Sequence, residues 1–502
     1  MAMAMLTKAA HVLRRLPAMS AARSWPAHNT CRRFLTTNKV HGLFINYIDH
    51  CRPHLFARPS SDSMIDPMLD FLPDDNDRRW WWSILDHSNG LLLCNMGPGE
   101  LCVLNPATRR WTILPWPRQA PVALDPAVPG EPPSLDRSSV DEDNDMRHLM
   151  ELESPRTSWA LMRILRVPPR QDLCAGVYLA FDPAVSPHYE LLTIPAIPGA
   201  PNKLAFRAAK GRSSDDNDKS RLMESEWPPT IWRLNMYSSR TGQWEERDFV
   251  RQGEPAGTVG DMLKDRAELS WGPRQHYAVY YQGALYVHCR GSFVLRLSLS
   301  NGIYQVIRTP SYGEGKIFGK PYLGRSEKGV YFGIIEKSQL RVWILSELSE
   351  QRMEWILKYE HDLAQYALHL GKFERKMDAP WMVHDVSDTH HEAAHVGAKT
   401  SGKVRFDWDS DNDDFFTVKF DPNEYPNFFD ILGFHPCKEV VFLNQMFSVV
   451  AYHLKNSKVQ YLGNSRPESY YVNHTNGIYE SFVYSPCMVG DLNEGHNKQS
   501  TS

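Results

Sequence analysis

The most explicit chemical pattern in the sequence is HEAAH at His391 to His395, a literal H-E-x-x-H. On a helix that spacing sets two imidazoles one turn apart, with Glu392 placed to activate a metal-bound water. The chemistry also demands a partly apolar helix and a third ligand downstream. Here the polar run DVSDTH precedes the motif and Gly397 follows His395 by two residues. His391, Glu392 and His395 are therefore read as a solvated histidine-rich loop, and a zinc metallohydrolase ranks last among the functions the residues allow. DWDSDNDD (407–414) has the acidity of a calcium loop but neither its central Gly nor its closing bidentate Glu. The glycines of GPGEL and GEGKIFGK lack the Lys-Ser/Thr ending of a phosphate-binding loop, and no Ser, Cys or His stands in a nucleophile elbow. Asn473-His474-Thr475 is a glycosylation acceptor in form only, because no secretory signal accompanies it. Cys31, Cys51, Cys94, Cys102, Cys174, Cys289, Cys437 and Cys487 are scattered without a C-x-x-C pair, as buried thiols in a reducing compartment are. The sequence thus predicts no catalytic residue, no metal and no cofactor.

What must position any binding residues is a set of short strands. The 502 residues are 42% hydrophobic and 23% charged, with 15 Trp, 21 Tyr and 21 Phe, a globular composition rich in strand formers. A net charge of -3 from 56 basic and 59 acidic residues gives no footprint for nucleic acid. No apolar run reaches the roughly 18 residues that a membrane helix needs, so no membrane partner is expected.

Beyond residue 40 the recurring phrase is strand, Gly/Asn/Asp/Pro turn, strand. The clearest unit is 84–115: Asn89 and Gly90 suit the positive φ angles of a tight turn, and Pro106 after Asn105 ends a strand because proline donates no amide. Residues 108–110 then reverse the chain before Trp111. Weaker copies run through 176–195 with an Asp182-Pro183 turn, and through 231–249 with a Thr241-Gly242 turn before Trp244. Three strands are expected in 278–310, much the same in 322–347, and another set in 430–463. Trp111 and Trp244, each after a reverse turn, are expected to bury against a neighbouring blade. Trp80, Trp81, Trp82, Trp232 and Trp343 are read as core rather than as a stacking platform. The fold class is mainly β, an irregular β-propeller-like domain of about six blades, with a pair of β-sandwiches as the rival architecture. Loop insertions are expected near 116–170, 199–226 and 376–427, where apolar residues are too few to offset the entropy of ordering. Long loops on one face of such a scaffold are where binding resides.

The first 48 residues contain no Asp or Glu but do contain Lys8, Arg14, Arg15, Arg23, Arg32, Arg33 and Lys39. That composition fits an organellar transit peptide, mitochondrial or plastid. It equally fits a basic amphipathic helix over 9–17 with Val12, Leu13 and Leu16 on one side.

Taken together, VHGLFINYIDHCRPHLFARPS, WWSILDHSNGLLLC, LCVLNPATRRWTILP, YLAFDPAVSPHYELL, MYSSRTGQWEERDFVRQGEPAGTV and DILGFHPCKEVVFL resemble the plant F-box proteins expanded in grasses. The resemblance covers roughly residues 40–490. It implies an N-terminal F-box that binds the Skp-type adaptor of a cullin ubiquitin ligase, and a kelch-like β domain that holds a client protein. By that resemblance 1–39 is a degenerate F-box-like segment, 40–490 the F-box-associated domain and 491–502 a disordered tail. AAHVLRRLPAMSAA resembles the first F-box helix, with Val12, Leu13, Leu16 and Pro17 facing the adaptor, and CRRFLTT resembles a later F-box region. The family's Leu-Pro-Asp opening is missing, and Phe34 stands where the family has Trp. A stand-alone interaction module with a decayed F-box is therefore the alternative. The expected location is cytoplasmic or nuclear, with organellar import as the alternative.

Overall fold

A computed structural model describes residues 39–47, 50, 52–59, 65–72, 82–97, 100–115, 175–195, 221, 223–264, 277–289, 292–310, 321–336, 338–347, 352–367, 380–384, 429–467, 477–489 and 492. They are mainly β. β1 (Gly42–Tyr47) and β2 (His54–Ala57) come first, then a four-stranded antiparallel meander, β3 (Ser83–Ser88), β4 (Leu91–Gly97), β5 (Glu100–Asn105) and β6 (Arg110–Pro115). The second meander is β7 (Ala175–Ala180), β8 (Glu190–Pro195), β10 (Ile231–Ser238) and β11 (Gln243–Gln252). Beside it the two-residue strands β9 (Glu226–Trp227) and β12 (Gly257–Thr258) pair, and helix α1 (Val259–Lys264) follows β12. The third is β13 (Ala278–Tyr281), β14 (Ala284–Cys289), β15 (Phe293–Ser298) and β16 (Ile303–Arg308). The fourth is β17 (Tyr322–Ser326), β18 (Gly329–Glu336), β19 (Gln339–Glu347) and β20 (Met353–Asp362), followed by the short helix α2 (Ala364–Ala367) and β21 (Met382–Val383). The fifth is β22 (Asp430–Phe434), β23 (Val440–Gln445), β24 (Ser448–His453) and β25 (Lys458–Asn464). β26 (Ile478–Tyr484) completes a sixth sheet in the order β21-β2-β1-β26, so the first and last described strands pair with each other.

The second and third meanders form one eight-stranded sheet through a parallel pairing of β11 with β16, and that sheet nearly closes because its end strands, β7 and β13, touch. More generally, the first strand of each unit packs against the first strand of the next, from β3 through β7, β13, β17 and β22 to β26. His87 on β3 meets Phe482 on β26 edge-to-face at 5.5 Å, which completes the circuit. Six apolar cores alternate with the six units, one between each neighbouring pair. For example, Leu91, Leu93 and Val103 pack with Leu179 and Leu191, while Phe44, Leu55 and Phe482 pack with Leu92 and Leu104. A sheet with a core on both faces needs apolar residues at successive positions, which is why β1, β23 and β24 are buried throughout instead of alternating.

Several expectations are corrected. The 278–310 stretch holds four strands, not three, because the four-residue β13 precedes a Gln282-Gly283 turn. Within 376–427, read as loop, Trp381 is buried and β21 pairs with β2, the side chain of Trp381 filling the space beside Phe56 and Phe442. Within 199–226, residues 221, 223 and 224 are helical and Glu226 begins β9. Trp111 and Trp244 are half-buried, not buried, since each lies on the outermost strand of its unit, whereas Trp232 and Trp343 are buried. The expected F-box segment, the HEAAH and DWDSDNDD motifs, the 116–170 insertion and the 491–502 tail, Leu492 apart, lie outside the described residues. No described helix is long and apolar enough to cross a membrane.

Candidate functional site on the axis of the ring

The first strands run side by side in one direction, which gives the molecule two unlike ends. At one end their C-termini converge. Asn89 Nδ2 donates to the Phe181 carbonyl at 2.6 Å, Arg325 Nη1 to Asn89 Oδ1 at 3.2 Å, and Ser326 Oγ to the His435 carbonyl at 3.2 Å. The connections here range from the two-residue Asn89-Gly90 turn to the nine residues 181–189 between β7 and β8. Asn89 and Gly90 adopt φ of 45° and 91°, as their types require. A Cβ on Gly90 would lie 2.5 Å from that of Cys487, so the absence of a side chain also lets two units approach. Ser88 and Ser326 occupy matching places, and each hydroxyl bonds a carbonyl of the following unit's first turn.

The remaining turn residues named from sequence gather at this same end and serve the backbone. Asn105 Nδ2 donates to Cys487 and Val489 carbonyls, tying the first unit to the last, and Pro106 continues that turn. Asp182 Oδ1 accepts the Ala184 amide across Pro183, and Thr241 Oγ1 donates to the Ser238 carbonyl beside Gly242, at φ of 69°. Trp244 stacks obliquely on Tyr237.

The opposite end holds the strand starts. From it depart, and to it return, the segments 116–174, 196–220, 265–276, 311–320 and 468–476, and 385–428 returns to it as well. Between the two ends the axis carries ionisable groups. Asp86 is buried, with Oδ2 accepting the Leu179 amide and Oδ1 the His87 amide, both at 2.8 Å. Burial raises its carboxyl to about 8, against the lowering effect of those two amides, and the Glu480 carboxylate adds to the rise. Burial lowers His87 to about 4, so its ring is neutral at physiological pH. Tyr277 and Tyr322 stack 4.2 Å apart, and burial, with the nearby carboxylates, raises both hydroxyls far above the ordinary phenol range. Asn46 bridges β1 to β3, donating to the Ile84 carbonyl and accepting the Ile84 amide.

Asp86 and Asn46 are engaged by backbone groups, and burial favours the protonated forms of Asp86, Tyr277 and Tyr322. A second polar knot ties the fourth unit to the fifth: Glu439 Oε1 accepts Tyr331 OH and Lys358 Nζ, each at 2.8 Å, and Lys358 lies over the Tyr331 and Tyr359 rings. Burial opposes ionisation of Glu439, but the bonds from Lys358, Tyr359 and Tyr331 outweigh it and hold the carboxyl below its ordinary value. Among the described residues no three His, Cys, Asp or Glu side chains form a group able to hold a metal.

Val12, Leu13, Leu16, Pro17, His391, Glu392 and His395 lie outside the described residues, so they are not placed relative to the axis. Sequence reading passed over Asp86, Arg325, Lys358 and Glu439. The available signal was a charged residue interrupting an apolar strand just before a turn, in ILDHSNG and again in YLGRSEKG. No family model matches the chain, and no curated protein matches it.

Proposed function

We propose that this protein is a non-enzymatic receptor subunit: a six-bladed, propeller-like body that holds a client protein, with a leader that recruits the Skp-type adaptor of a cullin ubiquitin ligase. The β body as a docking scaffold is supported by its six cores and its closed circuit of first strands, and the ligase connection by the resemblance of residues 40–490 to grass F-box proteins. The observation that carries the two-ended reading is polarity. His41 donates its amide to the Tyr484 carbonyl at the turn end, so the leader joins there, while the long insertions depart from the other end. A seven-residue first strand at about 3.3 Å per residue puts roughly 20 Å between an adaptor-bound leader and a client on the insertions.

Co-expression with a Skp-type adaptor tests the proposal. Affinity purification should recover the adaptor with the wild-type chain and lose it with Leu13→Asp plus Leu16→Asp. Adaptor recovery undiminished by both substitutions rejects this interface. The acid-free leader favours a second reading, an imported module with a decayed F-box. A fluorescent fusion of residues 1–48 that enters an organelle and is cleaved would support it against the first.

A further inference from the structure

We infer that Cys94 and Cys102 form a redox latch, a thiol pair that a glutathione-type disulfide joins across β4 and β5 while the ring is open and that ring closure then seals. The two residues stand directly opposite each other in the antiparallel β4–β5 register, and both are free thiols. Opposed residues of antiparallel strands have Cα atoms about 4.5 or 5.5 Å apart, and disulfides span about 4.4–6.8 Å, so either kind of opposed pair is within reach of the bond. Both side chains leave the sheet on one face. Leu92, Cys94, Cys102 and Leu104 pack into the core shared with the sixth unit, whereas Leu93, Leu101 and Val103 pack into the core on the other side. Among the described residues no other two cysteines are paired in a strand register.

In the closed ring no reagent reaches the pair, because both residues are wholly buried. Burial also pushes the Cys102 thiol up to about 12 and the Cys94 thiol well above its ordinary value, and the thiolate is the form that reacts. The cover makes the latch conditional. Phe44 of β1, Leu55 of β2, and Phe482 and Tyr484 of β26 close that core, and β26 is the last described strand of the chain. Every chain therefore passes through a stage in which β4 and β5 have been made but Phe482 and Tyr484 have not. At that stage one cysteine thiolate attacks glutathione disulfide and expels a glutathione thiolate, and the other attacks the mixed disulfide and expels the second. The two cysteines give up two protons and two electrons, and the reagent becomes two glutathiones. The new bond adds no atoms, so the closed ring needs no cavity to hold it, and it ties β4 to β5 covalently whenever β26 is undone.

Full-length protein purified under dithiothreitol is divided into two portions. One meets glutathione disulfide while folded; the other is unfolded in urea, given the same reagent and refolded by dilution. Remaining thiols are then blocked with iodoacetamide in urea, and peptide mass spectrometry identifies the disulfides. The unfolded and refolded portion should carry the Cys94–Cys102 bond as its main disulfide, and Cys102→Ser should abolish it. In the folded portion the same bond should form about a hundredfold or more slowly, because only the small open fraction reacts. Dithiothreitol should remove the bond from refolded chains with a similar delay. Phe482→Ala, which strips a ring from the cover, should shorten both delays. Cys94 and Cys102 left reduced after refolding, or joined to other cysteines, overturn the pair. Oxidation as fast in the folded portion as in urea overturns the seal. Where refolding fails, the slow product of the folded portion decides alone: a Cys94–Cys102 bond upholds the pair and any other partner overturns it. None of these results depends on the adaptor experiment.

Discussion

Asp86 should make the stability of this protein fall as pH rises across the neutral range, and Asp86→Asn should remove that fall. In the unfolded chain the carboxyl ionises near its ordinary value of 3.8, whereas burial in the folded protein delays ionisation to about 8. Between those values the folded state holds a proton that the unfolded state does not, so unfolding releases it. The stabilisation is complete below the lower value and is lost as pH rises through the upper one, at a slope of about 1.4 kcal/mol per pH unit. Over the whole window the ceiling is about 6 kcal/mol, comparable to the total stability of many domains. Asparagine keeps one acceptor for the Leu179 or His87 amide but turns an NH2 group toward the other, a pH-independent cost of about 1–3 kcal/mol. The variant should therefore be less stable than wild type only at low pH, the two curves should cross at about pH 4.5–6, and by pH 8 the variant should be the more stable by roughly 2–4 kcal/mol. Urea denaturation at half-unit intervals of pH, followed by tryptophan fluorescence, measures both curves. Parallel curves for the two proteins from pH 5 to 8 would refute the reasoning, because the titrating proton would then belong elsewhere.

Lys358→Met should destabilise the protein by about 1.5–3 kcal/mol by removing the 2.8 Å cation from Glu439 Oε1, which keeps the Tyr331 hydroxyl and Lys328 at 3.9 Å, and adding Glu439→Gln should restore part of the loss in denaturation midpoints. Gly90→Ala should cost about 1–3 kcal/mol or more, because φ is 91° and the new Cβ would meet Cys487. Gly242→Ala, with φ of 69° and nothing within 4 Å, should cost only about 1–2 kcal/mol in the same assay. Met446→Asn should raise the thermal midpoint, gaining roughly 0.5–1 kcal/mol, since Met446 is exposed at φ of 49° in the β23–β24 turn, a conformation Asn adopts more readily. An unchanged or lowered midpoint would count against turn strain at that position.

The turns that sequence displayed most clearly were those whose residue types answer a backbone demand. Asn89-Gly90, Asn105-Pro106 and Asp182-Pro183 end strands or reverse the chain for reasons local to a few residues, and the structure places a turn at each. The β13–β14 turn was harder to see because Gln282 takes a positive φ of 48° without being a residue type that advertises it. β21 was hidden for a different reason: two residues of strand and one buried Trp, set in a polar stretch, owe their order to β2, Phe56 and Phe442, none of which is near them in sequence. The axis was equally illegible. Asp86, Glu480 and Tyr322 come from three units, and no local pattern announces that their strands share a centre.

The pairing of β1 with β26 has a consequence for biosynthesis. β1 and β2 leave the ribosome early, yet the strand that covers β1 follows about 430 residues later, an interval of roughly 20–90 s at ordinary elongation rates. During that interval an apolar segment such as GLFINY, buried at every position in the finished molecule, has β2 on one side and an open edge on the other. Nascent chains are thus exposed to capture by chaperones or by one another until the last strand arrives. A deletion that removes Ile478–Tyr484 should leave the protein permanently at that stage.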